Sequence, residues 1–223
     1  PIRSMCLSGH RKYPLGSTDP EVEKRGMEIM EKAIQLAEDL GIRIIQLAGY
    51  DVYYEESSFE TKKRFLKNLK KATHMAEKAG VVLGFETMET EFMNTVEKAM
   101  KYTTLVDSPY LNVYPDIGNI TNAALEYKTD VLEDMMIGKG HLCAMHLKET
   151  VPGKFREIPF GTGHVNFKEA IDLAWQLGIR KYVTEFWYVG NENWKEDLVF
   201  AHDMFEKMLD EQMTGKDEKN VES

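Results

Sequence analysis

Three times this chain runs an amphipathic helical segment into a glycine and then directly into a short apolar stretch: EIMEKAIQLAEDLG-IRIIQL, LKKATHMAEKAG-VVLGFE and FKEAIDLAWQLG-IRKYVTE. In the first copy Met27, Met30, Ile34, Ala37 and Leu40 recur at helical spacing. Asp19-Pro20 supplies an N-cap and a proline at the first helical position, while Gly41, Gly80 and Gly178 stand where a helix ends in the left-handed region. The stretches that follow are apolar at nearly every residue, the pattern of strands buried on both faces. Helices alternating with such strands predict a parallel sheet covered by helices.

Continued along the chain, the pattern predicts six strands, at 3–8, 43–48, 81–86, 111–115, 142–147 and 181–186. Helices are expected at 20–40, 60–79, 92–106, 122–137, 166–177 and 194–212. No linker-like segment interrupts them, so a single domain is expected over residues 1–213, followed by a polar tail, 214–223. Six βα units are awkward for a closed barrel, which uses eight. The pattern therefore admits two architectures: an open doubly wound sheet, or the last six units of an eight-fold barrel.

Charge and composition exclude some functions. The 28 basic and 37 acidic residues leave a net charge of −9, which disfavours binding to nucleic-acid backbones. No uncharged apolar run approaches the length of a membrane span, and the first residues lack a signal-peptide core, so a cytoplasmic protein with no membrane or nucleic-acid partner is expected. The two cysteines, Cys6 and Cys143, lie in apolar segments and read as small hydrophobes of a reduced protein.

Chemically capable residues fall where the predicted strands finish. His10 follows the first, Glu86 ends the third, Asp116 ends the fourth, His146 lies near the end of the fifth and Glu185 is in the sixth. In parallel α/β folds the carboxyl ends of the strands carry the active site. Each residue alone reads as readily as a cap or an ion-pair partner. Together, Glu86, Asp116, His146 and Glu185 form an oxygen-rich donor set with one imidazole, suited to Mn²⁺, Zn²⁺, Co²⁺ or Mg²⁺. Burying four such groups without a cation would carry a large uncompensated cost. His74 and His202 read as surface or helix-packing residues and His141 as structural, whereas His164, in PFGTGHVNF, is a weaker ligand-facing candidate on a loop. The GTG there reads as a turn and Asn166 as the cap of the next helix. Met27, Met30, Met88, Met93, Met100 and Met145 read as core filling.

The segments MCLSGHRKYPLGS, IQLAGYDVYYEE, GFETMETEFMN, YPDIGN, MHLKET and FREIPFGTGHVNF, in this order, resemble the L-ribulose-5-phosphate (L-xylulose-5-phosphate) 3-epimerases, some of which are labelled hexulose-6-phosphate isomerases. These belong to the xylose isomerase-like (β/α)₈ TIM barrels. The resemblance implies a metal site on Glu86, Asp116, His146 and Glu185. Family members carry roughly two further βα units ahead of the segment that begins here, so the resemblance implies the last six units of the barrel, with two exposed sheet edges.

The implied reaction inverts C3 of a ketose 5-phosphate through an enediolate, interconverting L-ribulose 5-phosphate and L-xylulose 5-phosphate. Glu86 and Glu185 would exchange protons on opposite faces, with Asp116 and His146 as plain ligands. Arg156 and Asn119 would hold the O1–O3 end of the substrate. His10, Arg11, Lys12 and Lys148 are the cations on offer for the phosphate, with His10 and Lys148 the expected substrate-binding residues among them. The expected partners are a small phosphorylated ketose and a second copy in a homo-oligomer, a dimer. The rivals are an aldose–ketose isomerase of the same group, an abasic-site endonuclease, which the acidic charge and unclustered histidines disfavour, and a non-enzymatic barrel fragment or assembly module that pairs through its edges.

Overall fold

The computed structural model describes residues 2–214, so residues 215–223 of the expected tail lie outside the described residues. Strands β1 (Ser4–Leu7), β2 (Ile44–Ala48), β3 (Val82–Glu86), β4 (Leu111–Tyr114), β5 (Met145–Lys148) and β6 (Tyr182–Glu185) alternate with helices. These are α1 (Pro20–Leu40), α2 (Phe59–Ala79), α3 (Val96–Val106), α4 (Ile117–Tyr127), α5 (Val131–Ile137), α6 (Phe167–Gln176) and α7 (Trp194–Thr214). Every ladder between strands is parallel, with β1 to β4 in chain order and β5 paired to β6.

The helix ends follow the local chemistry read from the sequence. Asp19 accepts a hydrogen bond from the Glu21 amide at the start of α1, and Gly41 closes that helix with φ of 70°. Ser58 and Thr61 form a reciprocal capping box at the start of α2. Gly26 sits in the middle of α1, where a Cβ would lie 2.6 Å from the Tyr13 carbonyl oxygen; only glycine lets the loop after β1 pack this closely.

Two elements differ from expectation, each for a local reason. The helix expected at 122–137 is two helices. Lys128 adopts φ of 56° and ends α4, and Asp130 then caps α5 through the Leu132 and Glu133 amides. The strand expected at 142–147 begins only at Met145. Before it, Leu142 reaches Val113 through an isolated bridge, and the Val113 amide donates to the His141 carbonyl at 2.7 Å. Pro115 follows β4 and has no N–H, so the β4–β5 ladder is broken there; its carbonyl still accepts the His146 amide at 2.9 Å. The four-stranded and two-stranded sheets are joined across this seam by the Val113–Leu142 and Asp116–His146 bridges.

Two apolar clusters hold the helices to the sheet. One centres on Met30, Ile45, Leu69, Leu83, Phe85 and Leu111, all fully buried. The other centres on Met145, Leu147, Ile171, Phe160, Phe167 and Phe205. Met30, Met93 and Met145 are fully enclosed, as core-filling methionines should be. Cys6 departs from expectation: β1 is an edge of the described sheet, and this cysteine is exposed.

Candidate active site and metal centre

The strand order carries Glu86, Asp116, His146 and Glu185 to one end of the sheet. Glu86 and Glu185 are the last residues of β3 and β6, His146 is the second of β5, and Asp116 stands two residues beyond β4. One potential ligand atom from each lies within 4.8 Å of the others. The His146 Nδ1 is the hub, 3.1 Å from Glu86 Oε1, 3.8 Å from Asp116 Oδ2 and 2.8 Å from Glu185 Oε2. Lys148, at the end of β5, places Nζ 3.0 Å from Asp116 Oδ2 and 3.9 Å from Glu185 Oε1.

Neighbouring groups fix the carboxylates. The Gln46 side-chain amide donates to Glu86 Oε2 from the adjacent strand. Asp116 is both the N-cap of α4, accepting the Asn119 amide at 2.8 Å through Oδ1, and a member of the cluster through Oδ2. Its backbone amide donates to Thr87 Oγ1 at 2.9 Å. Asn119 spends its side-chain amide on the Thr87 carbonyl at 2.7 Å and keeps its Oδ1 buried and unpartnered.

The electrostatics follow from three carboxylates facing one imidazole and one ammonium. Burial opposes charge on His146, but the Glu185, Glu86 and Asp116 carboxylates around it push its pKa up to about 10. Burial pushes the Asp116 carboxyl up against the pull of Lys148, while His146 and Lys148 overcome burial and hold the Glu185 carboxyl down. Asp116 Oδ2 and Glu185 Oε2 are buried and, despite close cations, make no hydrogen bond of acceptable geometry. Buried, unsatisfied carboxylate oxygens beside an imidazole nitrogen are the donors that a divalent cation takes, so the chemistry of this set fits a metal-binding site. With the imidazole neutral, three carboxylates and one ammonium carry two net negative charges, which one divalent cation balances.

A cavity of about 350 Å³ opens beside the cluster. Glu86, His146, Lys148, Glu185, Asn119 and Arg156 all line it. Arg156 pairs with Glu89 at 2.6 Å, and its guanidinium lies 5.6 Å from the Trp187 ring centroid. A larger cleft, about 580 Å³, lies among Asp51, Lys62, Lys98 and Tyr102 and includes none of the clustered residues.

His10 is placed elsewhere. It is buried, and its Nε2 pairs with the Gly26 carbonyl of α1 at 3.0 Å; its neighbour Arg11, not His10, lines the cavity. A histidine after a strand end has the look of a ligand, but here the ring anchors the turn to a helix. His164 pairs with Thr150 Oγ1 at 3.0 Å and faces a different cleft, beside α4 and α6. His74 and His202 are exposed and sit beside acidic neighbours on their own helices.

Three residues of the site went unrecognised in the sequence. Gln46 has a signal, a lone polar residue inside the apolar strand IIQLA. Trp187 follows β6 and covers both Lys148 and Arg156. Glu149, buried next to Lys148, accepts the Gly161 amide at 3.0 Å and the Val165 amide at 3.2 Å, tying down the loop that carries Arg156.

Comparison with known proteins places the fold. Residues 1–204 match the family model described as xylose isomerase-like TIM barrel. The chain is 44% identical over 203 residues to proteins named L-ribulose-5-phosphate 3-epimerase UlaE from Shigella sonnei and from Shigella flexneri, spanning 91% of this chain and 70% of each relative. A crystal structure titled D-tagatose 3-epimerase-like protein superposes with a TM-score of 0.77 at 17% identity, covering 93% of this chain and 76% of that one. One titled L-ribulose 3-epimerase gives 0.68 at 21% identity, covering 88% and 65%. Of the two architectures that the βα pattern admits, these likenesses select the barrel type over the open doubly wound sheet. The chain belongs to the xylose isomerase-like TIM barrel family, as a relative of its L-ribulose-5-phosphate 3-epimerases.

Proposed function

We propose that the protein is a metal-dependent sugar-phosphate epimerase that inverts C3 of a ketose 5-phosphate, interconverting L-ribulose 5-phosphate and L-xylulose 5-phosphate. The observation that carries this reading is the convergence of Glu86, Asp116, His146 and Glu185 within 4.8 Å beside a sugar-sized cavity. The relatives' names point to the same reaction class.

Glu86, Asp116, His146 and Glu185 would hold the ion, Mn²⁺, Zn²⁺, Co²⁺ or Mg²⁺. When bound, a divalent ion would supply Lewis acidity that stabilises negative charge developing on the substrate oxygens. Proton transfer falls to Glu86 and Glu185, which approach from β3 and β6 with two strands between them. One carboxylate takes the C3 proton, leaving an enediolate; the other, protonated at the outset, gives its proton to C3 on the opposite face. A turnover thus ends with the two protonation states exchanged, ready for the reverse reaction. Asn119, whose Oδ1 is buried and unpartnered, would accept a substrate hydroxyl, and Arg156, which lines the same cavity, would donate to an oxygen at the same end. The proposal extends to a homodimer, supported by the exposed apolar residues Trp194, Val199 and Phe200 of α7 and tested by sedimentation.

The direct test is to supply L-ribulose 5-phosphate with each metal in turn and follow the products by NMR. The expected product is L-xylulose 5-phosphate, with activity lost on chelation and restored by one of the ions. Formation of an aldose instead would replace this reading with aldose–ketose isomerisation.

A further inference from the structure

Gln46 holds an acceptor that nothing in the fold uses. It is the one polar side chain of β2, IIQLA, and it is only 2% exposed. Its side-chain amide donates to Glu86 Oε2, as an amide beside a carboxylate must, so its Oε1 is left for another donor. That oxygen is shielded from solvent and has no hydrogen-bond partner. An unmet amide carbonyl in the interior is a cost unless a donor arrives.

The neighbouring strands do not supply that donor. The parallel register sets Gln46 between Cys6 of β1 and Gly84 of β3. Gly84 has no side chain, and the Cys6 thiol makes no hydrogen bond to Oε1. A larger residue at 84 has no room, because a Cβ there would lie 2.7 Å from Cys143 Sγ. What remains beside Gln46 is the cavity of about 350 Å³, which it lines together with Glu86, His146 and Glu185. A hydroxyl brought into this cavity can meet Oε1.

The strand order says which hydroxyl. Asn119, in the first turn after β4, and Arg156, on the loop after β5, are assigned the O1–O3 end of the ketose. Glu86 on β3 works at C3, and Gln46 stands on β2, on the far side of β3 from both. Counted from C1 along the substrate, the next hydroxyl past C3 is on C4. We propose that Gln46 accepts a hydrogen bond from the C4 hydroxyl of the ketose 5-phosphate and thereby selects the configuration at C4, the centre that the reaction leaves untouched; this role rests on the epimerase reading. A ketose of the opposite C4 configuration leaves Oε1 buried and unmet, which is how a polar pocket rejects the wrong substrate.

The test uses the full chain with a divalent ion added. Turnover and calorimetric binding are compared for L-ribulose 5-phosphate, for its C4 epimer D-xylulose 5-phosphate, and for the 4-deoxy analogue of L-ribulose 5-phosphate. In the parent chain, kcat/KM should be about 100-fold higher for L-ribulose 5-phosphate than for either comparison compound. Gln46→Met keeps the length of the side chain without its amide or carbonyl. It should lower kcat/KM for L-ribulose 5-phosphate about 10–100-fold and narrow the preference by about tenfold, because the comparison compounds lose only the hold on Glu86. An equal fall for every ketose would overturn the assignment, since Gln46 would then act only by holding Glu86. So would a parent chain that treats L-ribulose 5-phosphate and its 4-deoxy analogue alike, a comparison that needs no variant to fold. A parent chain that turns over none of them would defeat the epimerase reading instead. Calorimetric binding would then decide Gln46: tighter binding of L-ribulose 5-phosphate than of its 4-deoxy analogue upholds the contact, and equal affinity or no binding overturns it.

Discussion

The two halves of the cluster are held in different ways. Glu86 ends β3 and Asp116 stands two residues beyond β4, with side chains 9% and 0% exposed. Hydrogen bonds from Gln46 and from the Asn119 and Thr87 network fix their positions. Glu185 ends β6, an edge of the described sheet, and its side chain is 25% exposed. Val183 and Thr184 beside it are exposed, whereas Ile44, Ile45, Gln46 and Leu47 of β2 are buried. Glu185 therefore depends on charge, from His146 and Lys148, for what Glu86 obtains from packing. One carboxylate of the cluster is thus set by the fold and the other by electrostatics, which salt and neighbouring charges can disturb.

The largest expected contrast tests the packing side. Phe85→Ala in β3 removes a fully enclosed ring and should destabilise the chain by about 3–5 kcal/mol. Val183→Ala in β6 should cost less than about 1 kcal/mol, because that side chain is already 38% exposed. Urea unfolding of the two variants gives the comparison directly; similar losses would mean that β6 is packed as tightly as β3.

Next in size is the electrostatic side. Lys148→Met leaves the buried Asp116 without its ammonium partner, and should destabilise the metal-free chain by about 3 kcal/mol. A divalent ion supplies the missing positive charge, so adding one should recover most of that loss, as read from the melting temperature. A Lys148→Met chain as stable as its parent without metal would show that the charges around Glu185 and Asp116 are already well solvated.

The smallest effect concerns His10, in the short turn Ser8–Arg11 that follows β1. Burial lowers the His10 pKa below its usual value, against a smaller opposing pull from the Gly26 carbonyl. The folded state then resists protonation that the unfolded state accepts. Stability is therefore fully present above the unfolded pKa of about 6.5 and declines as pH falls from there toward the lower folded value, by at most about 1.4 kcal/mol per pH unit. His10→Gln should flatten this part of the pH dependence, measured by urea unfolding at pH 7.5 and 5.5. An unchanged slope would place the acid sensitivity in other groups.

Much of the fold was legible because it is written in short-range signals. Asp19-Pro20 and Gly41 bound α1 at the residues expected, since capping acts within one turn. The split between α4 and α5 escaped because its marks are weaker: a left-handed lysine at 128 and one aspartate cap inside a run that otherwise keeps helical spacing. The β4–β5 seam escaped because a missing proline donor has consequences only once a neighbouring strand is in place. At the site, polar residues at strand ends stood out against apolar strands, and the structure brings four of them together. His10 shared that signal, yet its partner is a carbonyl on a helix sixteen residues later, which no local pattern announces. Gln46, Glu149 and Trp187 act through neighbours distant in sequence, so their roles became visible only from contacts.

The central claim is that Glu86 and Glu185 divide the two faces of C3 between them. Exchange of the C3 hydrogen with solvent tests it most directly, measured separately from each epimer in Glu86→Gln and Glu185→Gln at confirmed metal occupancy. Each variant keeps one carboxylate, so inversion should fall by roughly 10²–10⁴-fold while label still washes out of one epimer. The epimer that exchanges in Glu86→Gln should be the one that does not in Glu185→Gln. Equal loss of exchange from both epimers in both variants, with metal retained, would contradict the two-face assignment.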